Sequence, residues 1–282
     1  MNGTVIYKMS GSGNDFVFLD GRYSSRSDWT PQAIAKICAR RSGVGADGLA
    51  ILDRGSQPGR VKFTFFNDDG SEAPMCGNAA LCATRLAVRL ELVCGPEMVL
   101  ETEAGDFPTR WLDGPGERAE IQLADMQASP VDIEPAAGER SIGFFTVGVP
   151  HLVVLVDALD TPDLMERGRE LRYHVSVQPD GANVNFVARR EGVGWRMRTY
   201  ERGVERETLA CGTGAVACAA VLAHEGKITL PWEVESASGM RLEVHGRLDG
   251  SCDLAGIRDP GLVGEGRLVL QGVLVQPGFN TP

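Results

Sequence analysis

Two cysteines are set apart by the residues that follow them, in MCGNAALCA (75–83) and ACGTGAVACA (210–219). Each places a thiol, a glycine and then Asn78 or Thr213, residue types that cap helix starts, directly before a run of small apolar residues. If each run is helical, Cys76 and Cys211 stand at the positive ends of helix dipoles, where a thiolate is stabilised and its pKa lowered. Glycine allows close backbone approach. The first amides of each helix, on Gly77, Asn78, Gly212 and Thr213, have no partner within the helix and suit a carboxylate. Two such units flanking one carbon could invert it: a thiolate takes the α-proton from one face and the opposite thiol returns a proton to the other. The helix ends would stabilise the negative charge that moves onto the carboxylate in the transition state.

The two Cys-Gly steps belong to an internal repeat. They lie 135 residues apart (211 minus 76), and FFNDDGSEAPMCG (65–77) aligns with YERGVERETLACG (200–212) at the same offset. Asn67 then falls opposite Arg202. Further upstream, GADG (45–48) matches GANV (181–184), placing Asp47 opposite Asn183, and GSGNDFVFLD (11–20) matches GVPHLVVLVD (148–157). Four blocks in one order at a nearly constant offset point to a duplicated half.

The elements that must position the thiols follow from patterning. VFLD, LAIL, VKFTFF and MVLETEA in the first half, and FFTV, LVVLVD, NVNFVA and MRLEVH in the second, read as strands punctuated by Gly, Pro and Asp. TGAVACAAVLA (213–223) is apolar on every face and NAALCATRLAV (78–88) nearly so, which predicts buried helices. The expected fold is α+β: two pseudo-symmetric half-domains, each a curved mixed β-sheet or barrel around a buried central helix, with the active site in the cleft between them. The expected boundaries are 1–135 and 136–268, joined by a Pro/Ala/Gly-rich linker near 128–140, with a tail near 269–282 packing back onto the first half.

Composition narrows the chemistry. The chain has 282 residues, enough for two modest domains, and a formal net charge of −10 without a basic run, so neither nucleic acid nor an anionic membrane is an expected partner. Small polar metabolites are. No signal peptide or membrane span is recognised, and a cytoplasmic location is expected. Seven cysteines, an odd number scattered along the chain, do not suggest a secreted disulfide framework. Cys38, Cys82, Cys94, Cys218 and Cys252 read as small core residues. The four histidines fall into no ligand spacing, so no metal site is expected. Racemisation through pyridoxal phosphate needs a Schiff-base lysine. Lys8, Lys36, Lys62 and Lys227 lie in no glycine-rich block, and a cofactor-free site fits better.

The blocks KMSGSGNDFVFLD (8–20), GVGADG (43–48), FNDDGSEAPMCGN (66–78), GVPH (148–151), ANVNFV (182–187) and YERGVERETLACGTGAVA (200–217) together resemble the diaminopimelate epimerase family over essentially the whole chain. The resemblance implies a pyridoxal-independent isomerase interconverting LL- and meso-diaminopimelate on the route to lysine and peptidoglycan, with Cys76 and Cys211 as its two bases and a homodimeric assembly. It also implies a pocket lined by Asn14, Asn67, Asn183, Glu201 and Arg202. Asn67, Asn183 and Arg202 would grip the distal carboxylate, a task suited to a guanidinium fork, while Glu201 would hold an ammonium group. His151 is either a further pocket residue or a histidine that satisfies a backbone group; Asp47 reads equally as a turn or cap residue. The chain departs from the family pattern at Val149, where members often carry an Asn, and at Ala79 and Leu81, where Gly and Arg are commoner. The alternatives are a two-cysteine racemase of another amino acid, such as histidine, and a non-catalytic binding protein of the same fold.

Overall fold

The structure, a computed structural model, describes residues 3–112, 117–248 and 256–275. Its contacts gather into two units: the described residues up to Ile121 together with those from Gly264 onward, and Gln122–Val263. These boundaries fall earlier in the chain than the 135 and 268 expected from the sequence.

Apolar runs in both halves form strands, and the two units repeat one order of elements. In the first, Thr4–Gly11 and Asn14–Asp20 form an antiparallel hairpin. Helix α1 (Pro31–Cys38) then leads to Gly48–Arg54, which runs parallel to Asn14–Asp20 with Phe16 opposite Gly48. Arg60–Asn67 returns antiparallel, the short Glu72–Ala73 follows, and helix α2 (Gly77–Arg89) precedes the hairpin of Glu97–Thr102 and Gly105–Trp111. The second unit repeats this with Glu139–Val147 against Val149–Val156, helix α3 (Leu164–Arg172), then Asn183–Arg190 parallel to Val149–Val156 with His151 opposite Asn183. Gly194–Glu201, Arg206–Thr208, helix α4 (Gly212–His224) and the pair Trp232–Glu235 and Arg241–Leu248 complete it. Each sheet is therefore mixed, and the expected α+β duplication is what the chain adopts.

Distant segments complete each sheet. Arg267–Leu274 lies antiparallel to Thr4–Gly11, and Gln127–Ser129, at the start of the expected linker, lies antiparallel to Glu139–Val147.

Helix α4 has ten buried residues among its 13, and α2 has nine among its 13. A helix without a polar face finds its lowest free energy inside a sheet, and small side chains let the strands close around it. At Gly11 a Cβ would stand 2.5 Å from the Asn78 carbonyl oxygen, and at Gly143 it would stand 2.7 Å from Val221 Cγ2. Helices α1 and α3 cover the opposite faces. Thr30 caps α1 by accepting the Ala33 amide, Pro31 opens it, and Ile34 and Ile37 enter a core with Val17, Leu19 and Trp29. Leu164 and Leu171 of α3 join Leu152, Val154 and Phe186 in the second unit. No helix among the described residues is long and apolar enough to cross a membrane.

Candidate active site

The second unit surrounds Cys211 with donors and one acceptor. The antiparallel pairing of Gly194–Glu201 with Arg206–Thr208 sets Thr199 opposite Thr208 and brings the chain back to Cys211, which occupies the N-cap of α4 in extended conformation. Its Sγ lies 3.9 Å from Glu201 Oε1 and 3.8 Å from Thr213 Oγ1, and it accepts the Gly214 amide. Thr208 Oγ1 donates to the other Glu201 oxygen at 3.0 Å. Glu201 is half-exposed as a residue, but its carboxyl group is enclosed, and that burial raises its pKa.

Here one sequence expectation is overturned. The helix dipole was expected to favour a thiolate, yet burial, followed by the Glu201 charge, pushes the Cys211 thiol well above its ordinary range. The Gly214 amide and Thr213 hydroxyl act the other way without prevailing. Desolvating a thiolate costs more than the end of a helix returns. Cys211 is a thiol donating toward Glu201.

His151 is fully buried in Val149–Val156. Its Nε2 lies 2.9 Å from Thr213 Oγ1, and its Nδ1 lies 3.1 Å from Asn185 Nδ2. Burial first, and the Arg202 charge second, press its pKa down to about 3, so the ring is neutral. Among the described residues, the ring of His151 meets two side chains, Thr213 and Asn185. Asn183 Oδ1 accepts the Arg202 amide at 2.7 Å, which places these two residues together. One Arg202 guanidinium nitrogen donates to the Asp180 carbonyl at 3.3 Å, and no carboxylate is paired with Arg202 among the described residues.

The first unit has its own polar set. Cys76 is the half-buried N-cap of α2 and forms no disulfide among the described residues. Asn14 Oδ1 accepts Asn78 Nδ2 at 2.8 Å, and Asn14 Nδ2 donates to Asp47 Oδ2 at 2.9 Å. Asp47 also accepts the Asp15 amide and pairs with Arg40, so it anchors Asn14. In the repeat, Asn14 corresponds to His151 and Asn78 to Thr213. Both units thus tie the start of the second strand to the second residue after the cysteine. Asn67 is exposed and shapes a turn, donating its side-chain amide to Ser71 Oγ at 3.0 Å.

Steric demands on the glycines differ. A Cβ on Gly77 would meet nothing within 4 Å, whereas one on Gly214 would clash with Asn185 Oδ1 and stand 3.2 Å from Cys211 Sγ. Gly212 is buried in the first turn of α4. Gly214, Asn185, Thr199 and Thr208 escaped the sequence reading. The signal for Asn185 was its spacing of two from Asn183, which puts both on one face of a strand.

Of the remaining cysteines, Cys38, Cys82 and Cys218 are buried thiols, and burial lifts Cys38 to about 12. Cys94 is exposed, against its expected place in the core, because it lies in the loop after α2; Cys252 falls outside the described residues. Ala79 and Leu81 are wholly buried, so those departures alter the α2 core. Among the described residues no group of three or more His, Cys, Asp and Glu could hold a metal ion.

The family model described as diaminopimelate epimerase matches residues 6–126 and 143–249. The chain is 42% identical over 275 residues to a diaminopimelate epimerase from Gemmatimonas aurantiaca, covering 94% of this chain and 97% of that protein. It is 39% identical to a diaminopimelate epimerase from Aquifex aeolicus, covering 85% and 88%. Among solved structures, a phenazine biosynthesis protein of the PhzF family from Bacillus anthracis superposes with a TM-score of 0.72 at 14% identity, covering 98% of this chain and 100% of that one. A hydroxyproline epimerase from Agrobacterium vitis, with bound trans-4-hydroxy-L-proline, gives 0.65 at 18% identity, covering 98% and 94%. At those identities the likeness is one of fold.

Proposed function

Because this chain belongs to the diaminopimelate epimerase family, we propose that it is an isomerase interconverting LL- and meso-2,6-diaminopimelate, with Cys76 and Cys211 exchanging the α-proton. The observation that carries this reading is the recurrence of one local arrangement: a cysteine capping a buried helix, with the second following residue tied to a neighbouring strand. Packing alone gives no reason for both thiols to recur there.

Inversion requires the two thiols to address opposite faces of the α-carbon. With Cys211 protonated, it gives its proton to the substrate carbon, while Cys76, as thiolate, takes the proton from the other face. The electron pair left by the broken C–H bond moves onto the carboxylate and returns to form the new C–H bond. Afterwards the thiols have exchanged states, and the reverse reaction begins. The newly formed Cys211 thiolate is met by the Gly214 amide and the Thr213 hydroxyl. The amides that open α2 and α4, on Gly77, Asn78, Gly212 and Thr213, stabilise charge on the substrate carboxylate.

Arg202, Asn183 and Asn67 hold the distal carboxylate, Glu201 an ammonium group, and Asn14 lines the pocket. The guanidinium donors of Arg202 that no described residue engages suit that task. Val149 cannot hydrogen-bond, so a group that meets it is satisfied by water or another partner. A reducing cytoplasm keeps both thiols available, and the exposed Val5, Val269, Leu270 and Val273 on the paired strands Thr4–Gly11 and Arg267–Leu274 offer a homodimer an apolar surface.

The test is incubation with LL-diaminopimelate, L-histidine, L-lysine and L-glutamate separately, in deuterated water without added cofactor. Deuterium should enter the α-position of diaminopimelate with inversion. Exchange of histidine without exchange of diaminopimelate would overturn the substrate assignment.

A further inference from the structure

We infer that Asn185 is a positioning residue that fixes His151 as its Nε2–H tautomer and thereby aims the Thr213 hydroxyl at the Cys211 sulfur. The inference rests on the proposed role of Cys211, but its geometry is independent of the substrate. Asn185 Nδ2 lies 3.1 Å from two atoms, the Leu152 carbonyl oxygen and His151 Nδ1. A carbonyl oxygen only accepts, so the amide nitrogen must face it. The other end of the amide agrees, since Asn185 Oδ1 takes the Thr199 hydroxyl at 3.0 Å.

His151 Nδ1 therefore presents a lone pair, and a neutral ring carries its hydrogen on Nε2. That hydrogen is donated to Thr213 Oγ1 at 2.9 Å. The Thr213 hydrogen is then directed away from the ring, and Cys211 Sγ at 3.8 Å is the acceptor on that side. Asn185 also bears on the second donor. Its Oδ1 fills the space beside Gly214, whose amide donates to the same sulfur. The charged groups bearing on this set are Glu201, against the sulfur, and Arg202, whose charge reaches His151.

The fold does not demand a buried amide at this place. The corresponding stretch of the first unit, Gly48-Leu49-Ala50, carries no polar side chain, and Asn14 replaces the imidazole there. In the first unit the equivalent position is held differently, by Asn78 donating to Asn14 and Asn14 to Asp47. The effect of the chain from Asn185 through His151 to Thr213 is to stabilise the thiolate that Cys211 becomes after it has given up its proton.

The tautomer can be read directly from the imidazole nitrogens of 15N-labelled protein. His151 should show a bare Nδ1 and a protonated Nε2 from pH 5 to 9, and a protonated Nδ1 in the wild type would overturn the proposal. In Asn185→Asp the acceptor replaces the donor, and the hydrogen should move to Nδ1. That variant should lose about ten- to a hundred-fold in kcat, the worth of a hydrogen bond to a charged group, with KM near wild type. Cys211 should also become alkylatable only at higher pH, with the Cys76 profile unmoved.

In a Thr213→Val background the same substitution should cost less than about two-fold, because its route to the sulfur is gone. Multiplicative losses, or wild-type kcat in Asn185→Asp, would overturn the proposal. Should Asn185→Asp not fold, Thr213→Val must lower the rate and move the pH midpoint of Cys211 alkylation upward, and Thr213→Ser, which restores the hydroxyl, must rescue both. The tautomer and alkylation readings need no turnover. An inactive wild type would count against the epimerase reading and leave those readings to decide this one.

Discussion

Cys211 Sγ and Glu201 Oε1 lie 3.9 Å apart, with the thiol donating and the carboxylate accepting. The pair shows why position at a helix start did not decide the protonation state: enclosure and a neighbouring negative charge both oppose a second one. Glu201→Gln removes the charge and leaves the enclosure. The thiolate should then form at lower pH, read as a downward move in the pH midpoint of Cys211 alkylation by peptide mass. A midpoint that rises or stays in place would mean that burial alone sets the thiol.

His151 links the site to acid stability. Its folded pKa is about 3, against about 6.5 in an unfolded chain, so between those values the unfolded chain binds a proton that the folded one refuses. Stability is unaffected above about pH 6.5 and is lost as pH falls toward 3, by at most about 1.4 kcal/mol per pH unit from this group. His151→Asn, which installs the residue found at the equivalent Asn14, should flatten that limb. Urea midpoints at pH 7 and pH 5 should differ less in the variant than in the wild type; an equal fall would place the acid sensitivity elsewhere.

Two glycines of one motif should respond in opposite ways. Gly214→Ala drives a methyl into Asn185 Oδ1 and should destabilise the fold by about 1–3 kcal/mol, seen as a lowered Tm. Gly77→Ala meets no protein atom within 4 Å and should leave Tm near wild type while raising KM, because the methyl projects where substrate is proposed to sit. A Tm loss at Gly77 matching that at Gly214 would contradict this assignment.

The buried helices were plain in TGAVACAAVLA because a segment without a polar face has only one place to go, and the repeat exposed the equivalence of Cys76 and Cys211. Helices α1 and α3 were missed. The first is eight residues long, and the second carries Gly168 because the Tyr200 side chain presses against it; neither shows a long period. Glu201 and His151, singled out by motif, do lie around Cys211 and Thr213, but the protonation of Cys211 was misread. A helix dipole is visible in sequence, whereas enclosure is a property of packing. Asn185 and Thr208 escaped for the same reason: their partners are distant in the chain or lie across a short hairpin.

The central claim is that two thiols share one proton exchange, and it is tested most directly by following LL-diaminopimelate in deuterated water with the wild type, Cys76→Ala and Cys211→Ala. The first meso product from the wild type should carry deuterium at the inverted carbon while the remaining LL substrate keeps its protium, and each variant should fall by at least about a hundred-fold. Inversion at the wild-type rate by either variant would contradict the account.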